Sequence, residues 1–268
     1  MRVALVTGAS SGIGAATARA LAADGFHVIA AGRSHQRTSR TVADIHAAGG
    51  SAEFLQLDLA LLESCRSAAA AIVTRGTTLD VLVNNAGVGP VKGMTPDGYE
   101  IHIGVNHLGH FLLTRELGPV LGQGTRVVQL SSHMHHRVDS VDFDAFTRPT
   151  RSMFGLAEYA VSKLANVLFI DELARRSPEL RTYAVHPGLV KTKIIPWYVR
   201  PFIRALTPDQ GADTVVWCAT EPELADESGL YYSQRAPAIP SQAARDRALS
   251  RRLWEFSVDA VAPGSTPG

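Results

Sequence analysis

Short β-branched runs alternate with longer Ala- and Leu-rich stretches along this chain. Residues 3–6, 28–31, 53–57, 81–83, 126–130 and 181–185 read as strands. Between them, 13–23, 39–48, 61–74, 98–117 and 156–175 carry the spacing of helices. A helix at 209–219, a short strand at 229–231 and a helix at 243–256 complete the pattern. Near-continuous apolar strands alternating with helices predict a parallel sheet covered on both faces. Right-handed crossovers make such a sheet doubly wound. The expected class is α/β, a single domain with a sheet of about seven strands. Neither linker nor repeat interrupts it, so residues 1–260 read as one domain and the Pro/Gly-rich 261–268 as a disordered tail.

Composition adds exclusions. At 268 residues, 46% hydrophobic and 19% charged, the chain has the balance of a globular domain. A net charge of +1 gives no electrostatic case for nucleic acid or an anionic membrane. Two cysteines, Cys65 and Cys218, make no disulfide framework and read as buried thiols suited to a reducing cytoplasm. The N-terminus enters the first strand without the basic region and cleavage site of a signal peptide. No apolar run approaches the roughly 20 residues that span a bilayer. A soluble, cytoplasmic protein without a membrane span is expected.

The first strand ends in Thr-Gly-Ala-Ser-Ser-Gly-Ile-Gly at 7–14, and a helix follows at once. Gly8, Gly12 and Gly14 permit a tight turn and close approach of a ligand, with Ser10, Ser11 and Ile13 between them. The helix N-terminus offers N–H groups and a positive dipole end to a pyrophosphate. This is a Rossmann-type dinucleotide turn with the spacing Gly-x-x-x-Gly-x-Gly. Further on, Tyr159 and Lys163 stand four residues apart, on one face of a helix. A nearby cation favours the phenolate form of a tyrosine, which can then pass a proton near neutral pH.

In these two motifs the chain resembles the classical short-chain dehydrogenase/reductase family. Four more motifs follow in the family's order: Asp58-Leu59, Asn-Asn-Ala-Gly at 84–87, Asn106 in Val-Asn-His-Leu-Gly-His-Phe, and Ser131-Ser132. Pro187-Gly188-Leu189-Val190-Lys191-Thr192 then matches the loop beside the nicotinamide. The resemblance covers about residues 3–192 and is nearest to the retinol dehydrogenase and protochlorophyllide reductase group. It implies that Tyr159 is the general acid and that Ser132 bonds the substrate carbonyl. It also implies that Lys163 lowers the Tyr159 pKa and holds the nicotinamide ribose, and that Asn106 positions a water in a proton relay. Asp58, Leu59, Asn84, Ala86, Gly87, Pro187, Gly188, Val190 and Thr192 then join the cofactor site.

An acidic residue at the end of the second strand would bind the ribose hydroxyl of NAD. That position is Gly32; Arg33 follows, and Arg37 lies within reach. Guanidinium groups suit a phosphate, so NADP(H) is the expected cofactor. The expected activity is hydride transfer to the carbonyl of a hydrophobic or aromatic small molecule. Alternatives on the same residues are reduction of a C=C bond or a non-catalytic nucleotide-binding scaffold.

His133, His135 and His136 crowd past Ser132. No carboxylate or cysteine completes a metal set, so none is expected, and His133 or His135 is placed near the pocket mouth. Residues 189–208, with Trp197, read as an apolar substrate lid. The rival for 194–206 is membrane-surface contact. The segment 137–155 is longer than the family's usual loop and is expected to shape the pocket. The helices at 98–117 and 156–175 pair between subunits in the family, which implies a homodimer or homotetramer. The basic C-terminal helix could instead leave a monomer.

Overall fold

The computed structural model describes residues 1–190 and 205–264. The strands are β1 (Val3–Thr7), β2 (His27–Gly32), β3 (Ser51–Gln56), β4 (Leu79–Asn84), β5 (Leu121–Leu130), β6 (Arg181–His186), β7 (Leu230–Ser233) and β8 (Ala236–Pro237). They form one sheet in the order β3-β2-β1-β4-β5-β6-β7-β8. All pairs are parallel except the terminal β7–β8 hairpin. The strand order reverses between β1 and β4, which opens a crevice at their C-terminal ends.

Successive strand residues face opposite sides. Leu5, Ile29 and Leu82 enter one core with Phe111 and Leu168, whereas Val6, Val28 and Val83 enter the other with Leu21 and Val215. Both faces are therefore covered, which explains why all five residues of β1 are buried. The helices are α1 (Gly12–Ala23), α2 (His35–Ala47), α3 (Leu62–Thr74), α4 (Gly109–Glu116), α5 (Leu156–Arg176), α6 (Pro208–Thr220) and α7 (Arg247–Ala260).

Several boundaries differ from expectation. The sheet has an eighth strand, too short to leave a periodic signal. The helix α2 starts earlier than residue 39, because Ser34 caps it by accepting the Arg37 N–H. The helix expected over 98–117 cannot begin at Gly98, whose φ is +86°. Instead Met94 bridges Glu100, and the helix continues through a π-helical stretch at Ile103–Leu108 into α4. Val261, expected in a disordered tail, is buried and accepts a 2.6 Å bond from Arg66.

The last helix, α7, lies across α4 and α5. Its Trp254 ring meets Phe111 at 5.0 Å and Phe169 at 6.1 Å, and the Arg176 guanidinium sits 4.8 Å over it. This covers one face of α4 and α5. It also accounts for the apolar character of α5. The stretch Met153–Arg176 is long and apolar enough to cross a bilayer, yet most of it is buried inside the protein. The insert at 137–155 likewise turns towards α7. Phe143 and Phe146 pack on Phe256 at 5.6 and 5.2 Å rather than lining the cleft.

Candidate active site

The turn after β1 closes on itself. A side chain at Gly14 would come within 2.4 Å of the Gly8 carbonyl and 2.3 Å of Asn85 Nδ2. Thr7 locks the turn to β4, accepting the N–H groups of Asn85 and Ala86 at 3.0 Å each. Beside it opens a cavity of about 320 Å³ lined by Ser10, Ser11, Gly12, Arg19, Arg37 and Arg40. First-turn N–H groups and three guanidinium groups together fit the phosphates of a dinucleotide. Arg37 was anticipated; Arg19 and Arg40 were not. Arg33 stands exposed at the end of β2, its carbonyl held by Gln56.

Asp58 and Leu59 follow β3 at the same edge of the sheet. The Asp58 carboxylate accepts the Ala60 N–H, and Leu59 is buried where α4 begins. Asn84 ends β4. Its side chain is fully buried and donates to Thr114, because the final residue of β4 points into the core. Ala86 and Gly87 do reach the site. A Cβ on Gly87 would lie 2.9 Å from Asn106 Oδ1 and 3.8 Å from Lys163 Nζ, so glycine is what lets this loop approach them. Pro187 and Gly188 follow β6, and Val190 bridges Leu206. The expected lid is thus joined at its two ends; Thr192 and Trp197 lie outside the described residues.

The chemical groups converge above β5. Tyr159 and Lys163 share a face of α5, with Lys163 Nζ 5.6 Å from the Tyr159 ring centre. Ser132 stands beside the Tyr159 phenol. Ser131 is turned away, donating to the Lys163 carbonyl at 2.7 Å. Lys163 Nζ donates to the Leu130 carbonyl at 3.2 Å. Burial pulls its ammonium down to about 8. Burial also pushes the Tyr159 phenol above its usual range, and the Ser132 hydroxyl draws it part of the way back.

Asn106 sits inside the π-helical stretch, a feature frequent at functional sites. Its side chain accepts the Val88 N–H at 2.8 Å and donates to Ser162 at 2.9 Å. His135 is structural: one ring nitrogen lies 2.6 Å from the Ser132 carbonyl and the other accepts the Ser241 N–H at 3.2 Å. His133 is exposed and meets His186 at 4.1 Å. No group of three potential ligands able to hold a metal occurs among the described residues.

The model of the short chain dehydrogenase family matches residues 2–143. The chain belongs to this family. It is 43% identical to mouse polyprenol dehydrogenase over 94% of its own length and 82% of that protein's. With human retinol dehydrogenase 11 the figures are 39%, 96% and 85%. A Burkholderia cenocepacia short chain dehydrogenase, solved in complex with NADP, superposes with a TM-score of 0.72 at 30% identity, covering 87% of this chain and 95% of that one. For a short-chain dehydrogenase, the order of elements from glycine turn to Tyr159 places the cofactor half and the chemical half on one sheet edge.

Proposed function

We propose that this short-chain dehydrogenase interconverts an apolar alcohol and its aldehyde or ketone with NADP(H). The observation that carries the reading is the convergence of Ser132 beside the Tyr159 phenol and of Lys163 Nζ 5.6 Å from its ring centre. The guanidinium-lined cavity beside the glycine turn favours a cofactor with an extra phosphate. The NADP complex of the Burkholderia protein supports the same choice. When bound, the cofactor supplies or accepts the hydride at the substrate carbon.

The protein's own residues manage the oxygen. In the reducing direction the carbonyl oxygen gathers negative charge as the carbon takes the hydride. Ser132 donates a hydrogen bond to that oxygen, and Tyr159 gives up its phenolic proton, leaving the alcohol and a phenolate. In the oxidising direction the phenolate removes the alcohol proton. Lys163, charged below about pH 8, stabilises the phenolate form. Asn106, held by Val88 and Ser162, positions a water through which Tyr159 regains its proton. The names of the polyprenol and retinol dehydrogenases point to long apolar alcohols as the substrate class.

Turnover of NADPH against long-chain aldehydes, aromatic ketones and enones tests this reading. Alcohol products are expected from the first two groups. Tyr159→Phe should lower kcat by about 100-fold or more. Full activity in that variant would overturn the assignment, and saturated ketones from the enones would shift it to C=C reduction.

A further inference from the structure

A second buried polar cluster lies behind Tyr159. Glu100 is 3% exposed and His102 is fully buried. The Glu100 carboxylate accepts the N–H groups of His102 and Ile103 at 2.8 and 3.1 Å, capping the helical stretch that carries Asn106. It also accepts the Thr150 hydroxyl from the end of the 137–155 insert. One ring nitrogen of His102 lies 2.9 Å from Glu100 Oε1, and the other lies 3.0 Å from the Gly89 carbonyl. Both nitrogens have an oxygen partner, so the ring orientation is fixed from two sides.

The cluster reaches the reacting groups by two routes. His102 and Asn106 stand one turn apart and grip consecutive residues. Asn106 holds both backbone groups of Val88, and His102 holds the carbonyl of Gly89. The imidazole also stands edge-on to the Tyr159 ring, with centres 6.0 Å apart and planes at 76°. Gly155, the residue before α5, has φ of +73° and packs so tightly that a Cβ there would lie 2.7 Å from His102 Cε1. The start of the helix bearing Tyr159 therefore rests on this imidazole.

A buried carboxylate and imidazole are an expensive way to hold a fold, since apolar packing of the same shape often does as well. What they add is direction, because each hydrogen bond fixes a ring orientation. We propose that Glu100 and His102 are positioning residues: they orient the Tyr159 ring and hold the Val88–Gly89 backbone as the wall facing the substrate. The inference rests on the alcohol dehydrogenase reading above and extends it to residues that touch neither cofactor nor substrate.

The test compares His102→Phe, His102→Gln and the double variant Glu100→Gln/His102→Phe. Turnover, KM for both substrates, NADPH dissociation by fluorescence and Tm are measured for each. His102→Phe should lower kcat by about tenfold while NADPH dissociation stays within about twofold. His102→Gln keeps an N–H for Gly89 and should regain much of the loss. The double variant removes the unpaired carboxylate left by the single one, so its Tm should recover while kcat stays low. A kcat within about twofold of wild type in the double variant would overturn the inference, as would loss of kcat and NADPH binding in step with Tm. Absence of turnover in the wild type itself would instead overturn the oxidoreductase reading on which it rests.

Discussion

Thr38 stands so close to Gly32 that a Cβ on the glycine would lie 2.6 Å from Thr38 Oγ1. The end of β2 is where an acidic residue would select NAD. Here no side chain of any kind fits without displacing Thr38, whose hydroxyl is buried. Gly32→Asp should therefore raise the KM for NADPH by about tenfold without improving use of NADH. Adding Thr38→Ala opens the space, and NADH should then be used better than by wild type. Steady-state kinetics with both cofactors decide the point.

Arg37 and Arg40 line the cavity beside the glycine turn, whereas Arg33 lies outside it. Arg37→Ala and Arg40→Ala should each weaken NADPH binding by about tenfold or more, the scale of one charge-assisted hydrogen bond. NADH binding should change little. Titration of the cofactor's fluorescence measures both. Equal loss for the two cofactors would move these arginines from the extra phosphate to the shared pyrophosphate.

Lys163 links activity to stability. Burial lowers its pKa to about 8 from an ordinary value near 10.5. Between those values the unfolded chain holds a proton that the folded chain has lost, so stability rises with pH across that window. The cofactor-free protein should thus show a more favourable change in Tm from pH 8 to pH 10 than Lys163→Met, which lacks the titration. Identical pH dependence in the two proteins would mean that Lys163 is solvated in solution.

Trp254 fastens α7 to the catalytic helix through Phe111, Phe169 and Arg176. Trp254→Ala removes a half-buried indole and should cost about 2 kcal/mol of stability. Denaturant unfolding reads that loss. Because α7 covers α4 and α5, the variant should also expose apolar surface to a hydrophobic dye and raise the tendency to self-associate in light scattering.

Much of the site was legible because local chemistry announces it. Glycines between a strand and a helix mark the turn, and the four-residue step from Tyr159 to Lys163 puts both on one face of α5. The choice of Ser132 over Ser131 rested on family resemblance; the Ser131 hydroxyl is engaged by the Lys163 carbonyl. What local pattern could not show depends on register and distant packing. Arg40 was missed because it lies in the stretch read as helix from residue 39, and only the packing of α2 beside the glycine turn brings it to the cavity. That the Asn84 side chain turns inward to Thr114 was not legible, because only the sheet register decides which way the last residue of β4 points. Glu100 and His102 lie in a stretch read as ordinary helix, and only the loop ends at Gly89 and Thr150 give them a purpose. The insert's aromatic residues suggested a pocket wall, yet Phe256, more than a hundred residues later, takes them into the core.

The placement of α7 also governs how the molecule is assembled. His107 meets Ser257 across 150 positions of chain, Tyr99 bonds Ala260 across 161, and Arg66 bonds Val261 across 195. Closing loops of that size is entropically demanding and delays the contacts that depend on it. The strands and their short crossovers can form early, but the outer wall of the catalytic helix must wait for the docking of α7. Cofactor binding would then be regained before turnover on refolding.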